Sequence, residues 1–369
     1  MGILTYARLA TVTLSAAVGV SCCGGNAAST STSTPATTPN YKQNASDVSA
    51  WIAAQQRSDG AILYSSTKIE PYFANLAAIG WLADSSKIPN VEAWMRWYLS
   101  HLNRPDYNGI NGTVYDYDIS NGSEISTGTY DSADSYAATF LSLAEALWNT
   151  GDPGAQAFIK GLNEADLDLI GHVITGLQQA NGLVYAKPDY PIEYLMDNSE
   201  NYRGLADFAL LATQAWNDTA TTTWYNARAA AVQSGIQNVL YISSKGLYYA
   251  AYGSAAPDMA KWYPDATAQL YPIIYGVIDP ASSQALTVYK NFNTAWPGWP
   301  QLSFYSQDSF PWCIIGYASY LMHDTTRTNA YINSIDAKYV QVTPQFPFPF
   351  YVGEAGWFLR TNAGLAGSK

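Results

Sequence analysis

The chain predicts an all-α ring of six helical hairpins, and three observations lead there. Twelve helix-length amphipathic segments fill the stretch from Ser46 to about Leu365. The connections between them alternate strictly between long and short, so short links join antiparallel neighbours and every long loop falls at one end. The long loops also resemble one another: Ser58-Asp59-Gly60-Ala61-Ile62-Leu63-Tyr64 is echoed by Asn111-Gly112-Thr113-Val114-Tyr115, Asn181-Gly182-Leu183-Val184-Tyr185 and Lys245-Gly246-Leu247-Tyr248-Tyr249. A Gly after a polar residue, followed by alternating apolar residues and Tyr, reads as a turn entering a short strand, and its recurrence marks an internal repeat.

The segments run in order as follows. Ser46–Gln56 carries Val48, Trp51 and Ile52 on one face, and Pro71–Ala83 is apolar nearly all round. Asn90–Leu102, Ser132–Trp148, Pro153–Gln179 and Met196–Trp216 follow, then Thr221–Leu240 and Asp265–Val277. Ala281–Phe292, Phe310–Met322, Thr325–Tyr339 and Gly353–Asn362 complete the set. The second helix of each pair is the more uniformly apolar, as in Tyr72-Phe73-Ala74-Asn75-Leu76 or Ile314-Ile315-Gly316-Tyr317-Ala318. A helix apolar on most faces is buried, so these six form an inner ring and their partners an outer one.

The N-terminus reads differently. Residues 1–23 pair a single charge, Arg8, with a short apolar run, which is the pattern of an export signal. Residues 24–45 are rich in Ser, Thr, Ala and Pro, the composition of a linker. One folded domain is expected over 46–369. Cys22, directly after the apolar run, is a candidate lipidation site, so the domain is expected outside the cytoplasm, either secreted or tethered to the membrane.

Composition narrows the function. A net charge of −11 argues against a nucleic-acid partner. With three Cys, of which Cys22 and Cys23 fall in the signal, no disulfide framework or Cys-type metal set is expected. No phosphate-binding Gly loop, nucleotide fingerprint or Ser nucleophile elbow occurs, so no cofactor is expected, and a monomer is. Charged residues make up 13% against roughly 25% in ordinary soluble domains, while Tyr numbers 29 and Trp 12. That balance suits a surface that stacks on sugar rings, although most of the rings must be core.

Carboxylates recur at the starts of the inner helices: Glu70, Asp131 and Asp134, Glu193 and Asp197, Asp265, Asp308, Glu354. Each can cap backbone N–H groups and suit the helix dipole. Capping does not require that acids occupy nearly every inner start beside Tyr and Trp. Glycoside hydrolysis does need two carboxylates facing each other across a sugar, one of them protonated. Glu70, followed by Pro71, Tyr72 and Phe73, is the candidate acid if burial raises its pKa. Asp265, beside Trp262 and Tyr263, is the candidate base. Asp131, Asp134, Glu193 and Asp308 are candidate binders of sugar hydroxyls, and Tyr64, Tyr115, Tyr130, Tyr185, Trp262, Tyr263, Trp296 and Trp299 are candidate ring platforms.

The alternating plan resembles the six-hairpin glycosidases, whose fold is the (α/α)6 toroid. Three segments are similar to glycoside hydrolase family 8. Ile69-Glu70-Pro71-Tyr72-Phe73-Ala74-Asn75 resembles that family's opening of its second helix, where a Glu is the general acid. Tyr130-Asp131-Ser132-Ala133-Asp134 resembles its Asp-rich opening of the fourth, where an Asp contacts the sugar at the cleavage point. Trp262-Tyr263-Pro264-Asp265-Ala266 resembles the segment in which many members carry the base. The resemblance implies an inverting hydrolase of poly- or oligosaccharides. The alternatives are a polysaccharide lyase on the same toroid, which sparse Lys and Arg in the loops argues against, and a non-catalytic sugar-binding surface protein.

Overall fold

The computed structural model describes residues 38–367, and the readings of residues 1–23 as a signal and of Cys22 as a lipid site lie outside them. Thirteen α-helices are found among the described residues: α1 Tyr41–Gln55, α2 Pro71–Trp81, α3 Ile88–Ser100, α4 Ala133–Trp148, α5 Pro153–Gly161, α6 Glu164–Leu177, α7 Leu195–Leu211, α8 Thr219–Gly235, α9 Tyr271–Ile274, α10 Ser283–Ala295, α11 Cys313–Leu321, α12 Thr325–Ile335 and α13 Val352–Ala366.

The inner ring closes. α2 packs on α4, α4 on α7, α7 on α9, α9 on α11, α11 on α13, and α13 returns to α2. Most of these are the elements whose sequence is apolar on most faces; α7 is the exception, carrying Asp197, Asn198, Glu200, Asn201, Arg203 and Asp207 on an inner helix. The outer helices cover the ring: α1 against α13, α3 against α2, α6 and α8 against α7, α12 against α11. The chain is an (α/α)6 toroid, with all long loops at the N-terminal ends of the inner helices.

Three elements depart from the sequence pattern. α1 starts at Tyr41, inside the stretch read as linker, because Asn40 caps the N–H of Gln43 and Asn44 is buried against Asn362. The fifth segment is two helices, broken at Leu162 where Asn163 restarts the chain by accepting the N–H of Ala165. The eighth is fragmented: an irregular helical stretch over 262–270 runs into the single turn of α9. Pro264 and Pro272 remove two N–H donors there; Ala260 O, four residues before Pro264, takes Gln307 Nε2 at 2.9 Å instead, and the Gln269 side chain ties the stretch together by donating to Asp265 O and Tyr248 O.

The repeated Gly motif has a packing cause. Gly60 has φ +99° and a Cβ built on it would lie 2.5 Å from Ala93 O of α3; at Gly112, φ is +93° and the corresponding atom is Leu169 O of α6 at 2.6 Å. Each loop therefore leaves its outer helix through a left-handed residue pressed on the backbone of the next outer helix, where no side chain fits. Gln56 and Gln178 repeat the arrangement: Gln56 Nε2 donates to Gly60 O at 3.0 Å and Asn90 O at 2.8 Å, and Gln178 Nε2 to Gly182 O at 3.0 Å and Arg228 O at 3.1 Å. Gly112→Ala is expected to destabilise the fold by about 2–3 kcal/mol, read as a lower urea midpoint. A shift under about 0.5 kcal/mol would mean that the loop relaxes off α6.

Two long loops join in a small antiparallel sheet: β1 Lys68–Ile69, β2 Tyr117–Ser120 and β3 Ser123–Ser126. β2 and β3 turn through Asn121-Gly122, both at positive φ (51° and 79°), the two-residue connection that suits the strand twist. β1 lies beside β2 with Ile69 opposite Tyr117. This register positions the site.

Candidate active site

Glu70 occupies the N-cap of α2, yet its side chain makes no capping hydrogen bond. The residue after it is Pro71, which has no N–H to be capped and holds φ for the first turn. The carboxylate is left partly buried, with no hydrogen-bond partner among the described residues. Continuing the β1–β2 register by one residue puts Glu70 across from Asp116, because Ile69 pairs with Tyr117. Opposed residues on paired strands lie within reach of each other, and like charges there repel. Burial, then the Asp116 charge and that of Asp131, push Glu70 up to about 8, against a pull from Lys68.

Asp116 is held by Tyr136, whose hydroxyl donates to its Oδ1 at 2.8 Å. Burial raises it to about 7, with Asp131 adding to the rise and Tyr136, Lys68 and Lys187 opposing it. Asp131 is the hub of the cluster. Its charge acts on Glu70, Asp116 and Tyr136 to one side, and on Asp197 and Tyr263 to the other. Asp197, in the first turn of α7, is pushed well up by burial and by Asp134 and Asp131.

Beneath these acids lies a buried polar floor. Asp134 is fully buried; its Oδ1 takes the Ser132 hydroxyl and the Ser135 N–H, and its Oδ2 takes Asn201 Nδ2 at 2.7 Å. Burial holds it near 7. Glu200, one and a half turns into α7, accepts the hydroxyls of Tyr72 at 2.6 Å and Tyr275 at 2.9 Å, and burial raises it to about 8. Aromatic walls rise around the acids. Tyr64 stacks on Phe73 and meets Tyr351, each at 5.1 Å, within the influence of Glu70 and Glu354. Tyr263 faces Asp197, Asp131 and Asp308, with Trp312 5.3 Å from its ring.

The structure thus brings together Glu70, Asp131, Asp134, Tyr64 and Tyr263 of the sequence candidates. Others serve elsewhere. Asp265 is not among the acids that act on Glu70; its Oδ1 accepts the N–H of Asp258 at 2.9 Å, because the proline-broken stretch turns it onto its own loop. Trp262 is fully buried and stacked on Phe304 at 4.1 Å, so neither ring face is open to a sugar. Tyr130 is buried with its hydroxyl on Asp106 at 2.7 Å, and Trp299 is buried with its Nε1 on Asn293 Oδ1 at 2.9 Å. Tyr115 accepts the Tyr107 N–H, Tyr185 packs against the core with part of its ring exposed, and Trp296 donates to Met259 O. Glu193 is buried, holding Asn181 Nδ2 at 2.9 Å, which latches the third repeat loop. Asp308 closes a turn by accepting Phe310 N–H and Trp312 Nε1, five residues before α11 begins, and the N-cap of α4 is Ser132 rather than Asp131.

Sequence reasoning passed over Asp116 and Glu200. Asp116 directly follows the Tyr of the second repeat motif, which is the signal that could have found it. Glu200 sits mid-helix, where nothing local marks it. Among the described residues no group of three His, Cys, Asp or Glu is placed to share a metal ion.

Neither a protein-family model nor a curated protein matches the chain. Solved structures do. A glycosidase superposes with a TM-score of 0.63 at 12% identity, covering 88% of this chain and 97% of its own. The fold is that of the six-hairpin glycosidases. A GH63 mannosylglycerate hydrolase from Thermus thermophilus, in complex with glucose, gives 0.60 at 10% identity over 88% of this chain and all (100%) of the other. A GH76 α-mannanase from Bacteroides thetaiotaomicron gives 0.56 at 11% identity, covering 90% of this chain and 98% of its own. At such identities the likeness is one of six-hairpin architecture, and the chemistry must come from this chain's own residues.

Proposed function

We propose that the protein is a glycoside hydrolase working at the mouth of the toroid, with Glu70 as general acid. One observation carries this reading: a carboxyl group at a helix start, free of any capping bond, kept protonated near neutrality by burial and by Asp116, and set among further acids and Tyr rings. A general acid must hold its proton at working pH and release it to the leaving oxygen. Asp131, whose charge reaches both Glu70 and Asp197, takes the role of the carboxylate that activates water, in place of Asp265. Tyr64 and Tyr263 supply ring faces beside the scissile bond. A neutral hexose glycan is the substrate class, since the chain has only 18 Lys and Arg against 29 Asp and Glu, and two similar structures are named as a mannosylglycerate hydrolase and an α-mannanase.

Reducing-end release from a panel of neutral polysaccharides tests the reading; no release from any of them, with lyase products from uronate polymers instead, would defeat it. Inversion is part of the proposal and rests on the family 8 likeness around Glu70; the anomer first seen by NMR decides it. Export, with or without a lipid on Cys22, is likewise proposed, and cell fractionation with a Cys22→Ser comparison reads it.

Asp116 positions the acid electrostatically. Asp116→Asn removes a like charge, so the pKa of Glu70 should fall and the proton should be lost at lower pH. The alkaline limb of the pH–rate profile is expected to move down by about one unit while the acidic limb moves less. An unmoved alkaline limb would take Asp116 out of this role.

A further inference from the structure

Further along the inner helices, beyond the acids at their N-terminal ends, lies a cavity of about 350 Å³. Its lining comes from late positions of the inner helices: Glu145 of α4, Arg203 and Asp207 of α7, Tyr275 after α9, Tyr317 of α11 and Arg360 of α13. Pro280, in one of the short links, sits at its edge. Glu200 also lines it, its Oε1 taking the hydroxyls of Tyr72 and Tyr275.

The charges in this cavity are unusual for this chain. Only 18 Lys and Arg occur in 369 residues, and two of them converge here. Arg203 is engaged: its Nε and Nη2 form a fork on Asp207, at 2.9 and 2.6 Å. Arg360 is not. Its guanidinium lies 4.3 Å from the Tyr317 ring and 4.4 Å from the Trp357 ring, with one donor on the Tyr317 hydroxyl at 3.1 Å. Among the described residues it has no carboxylate at ion-pair distance, although its charge acts on Asp207 across the cavity. A guanidinium held against two rings, with one N–H donor on a hydroxyl, is preorganised for a planar, bidentate anion. Leu76, Ile79, Ile273, Ile274 and Leu321 present apolar surface, while the buried carboxyls of Glu145 and Asp207 supply acceptors. Those same acids disfavour a dianion such as a phosphate ester.

We propose that this back cavity binds a small hydroxylated monocarboxylate, of about the size of a monosaccharide acid, with its carboxylate on Arg360 and its hydroxyls on Glu145 and Asp207. The cavity volume is within the range of small-molecule sites, and the pairing of one open cation with two acceptors matches one carboxylate on a polyol body. The site stands apart from the hydrolase reading and survives or fails without it.

Calorimetric titration of the full mature chain with glucuronate, gluconate, glucose and glucose 6-phosphate tests it. Glucuronate or gluconate should bind at least about 10-fold more tightly than glucose or the phosphate ester. Arg360→Gln should weaken that binding by about 10-fold or more and leave hydrolysis in the absence of the acid unchanged. Glu70→Gln should leave the binding as it is. Arg360→Lys, which keeps the charge and loses the fork, should fall between, and serves alone if Arg360→Gln does not fold. The proposal is overturned if neither acid binds, if glucose or the phosphate ester binds as well, if a folded Arg360 variant binds as wild type, or if binding is lost in Glu70→Gln instead.

Discussion

Glu70→Gln is expected to lower kcat by about 10³-fold on an unactivated glycan, with KM little changed. The amide matches the carboxyl in size and polarity but has no proton to deliver to the leaving oxygen. Because the Glu70 carboxyl has no hydrogen-bond partner among the described residues, the substitution removes no hydrogen bond seen there, and the thermal midpoint should hold or rise. The loss should shrink on aryl glycosides with a good leaving group, which need little protonation. That dependence separates a missing acid from a distorted pit, since distortion would reduce both substrates alike. A fall of less than about threefold on the glycan, with the protein folded, would remove Glu70 as the acid.

The second large effect concerns stability against pH. Glu70 and Glu200 are held at about 8, and Asp116, Asp134, Glu145 and Glu354 at about 7, in every case chiefly by burial. Folded-state pKa values above the unfolded ones mean that the native protein binds more protons than the unfolded chain between roughly pH 4 and 8. Their stabilising contribution is complete below the unfolded carboxyl pKa and is lost as pH rises through 7 to 8. The thermal midpoint should therefore fall by roughly 5–10 °C between pH 5 and pH 8.5, the reverse of a protein held by salt-bridged carboxylates. Glu200→Gln sharpens the test. Both tyrosine hydroxyls donate to Oε1 of Glu200, an atom that Gln keeps, so the amide imitates the protonated acid. The variant should gain on the order of 3 kcal/mol at pH 8 and little at pH 4, flattening the pH dependence. A midpoint that rises from pH 5 to 8.5 in the wild type would refute the buried-acid account.

Much of the architecture was legible in one dimension because its causes are local. Apolar periodicity around helices such as α2 and α11, and the alternation of long and short links, survive any uncertainty about partners. The Gly of each repeat loop was visible for the same reason, although its cause, a neighbouring helix backbone in van der Waals contact with Gly60 or Gly112, was not. Helix boundaries failed where a single side chain decides them: Asn40 starts α1 early, Asn163 splits the fifth segment, and Pro264 with Pro272 breaks the eighth. Asp265 lies within that last break, where its side chain takes the N–H of Asp258 on its own loop.

By itself the sequence determined a closed ring of hairpins, the end at which its loops gather, and the presence of acids and tyrosines at that end, because these follow from spacing along the chain. The tertiary structure alone decided which acids act together. Glu70 faces Asp116 through a strand register between two distant loops, Glu200 joins from mid-helix, and Glu193 and Asp308 are absorbed by hydrogen bonds of their own. Whether a first-turn carboxylate caps its helix or points into the pit depends on what packs beside it. That is set by contacts between residues far apart in the chain, and it also sets the burial that keeps their protons in place.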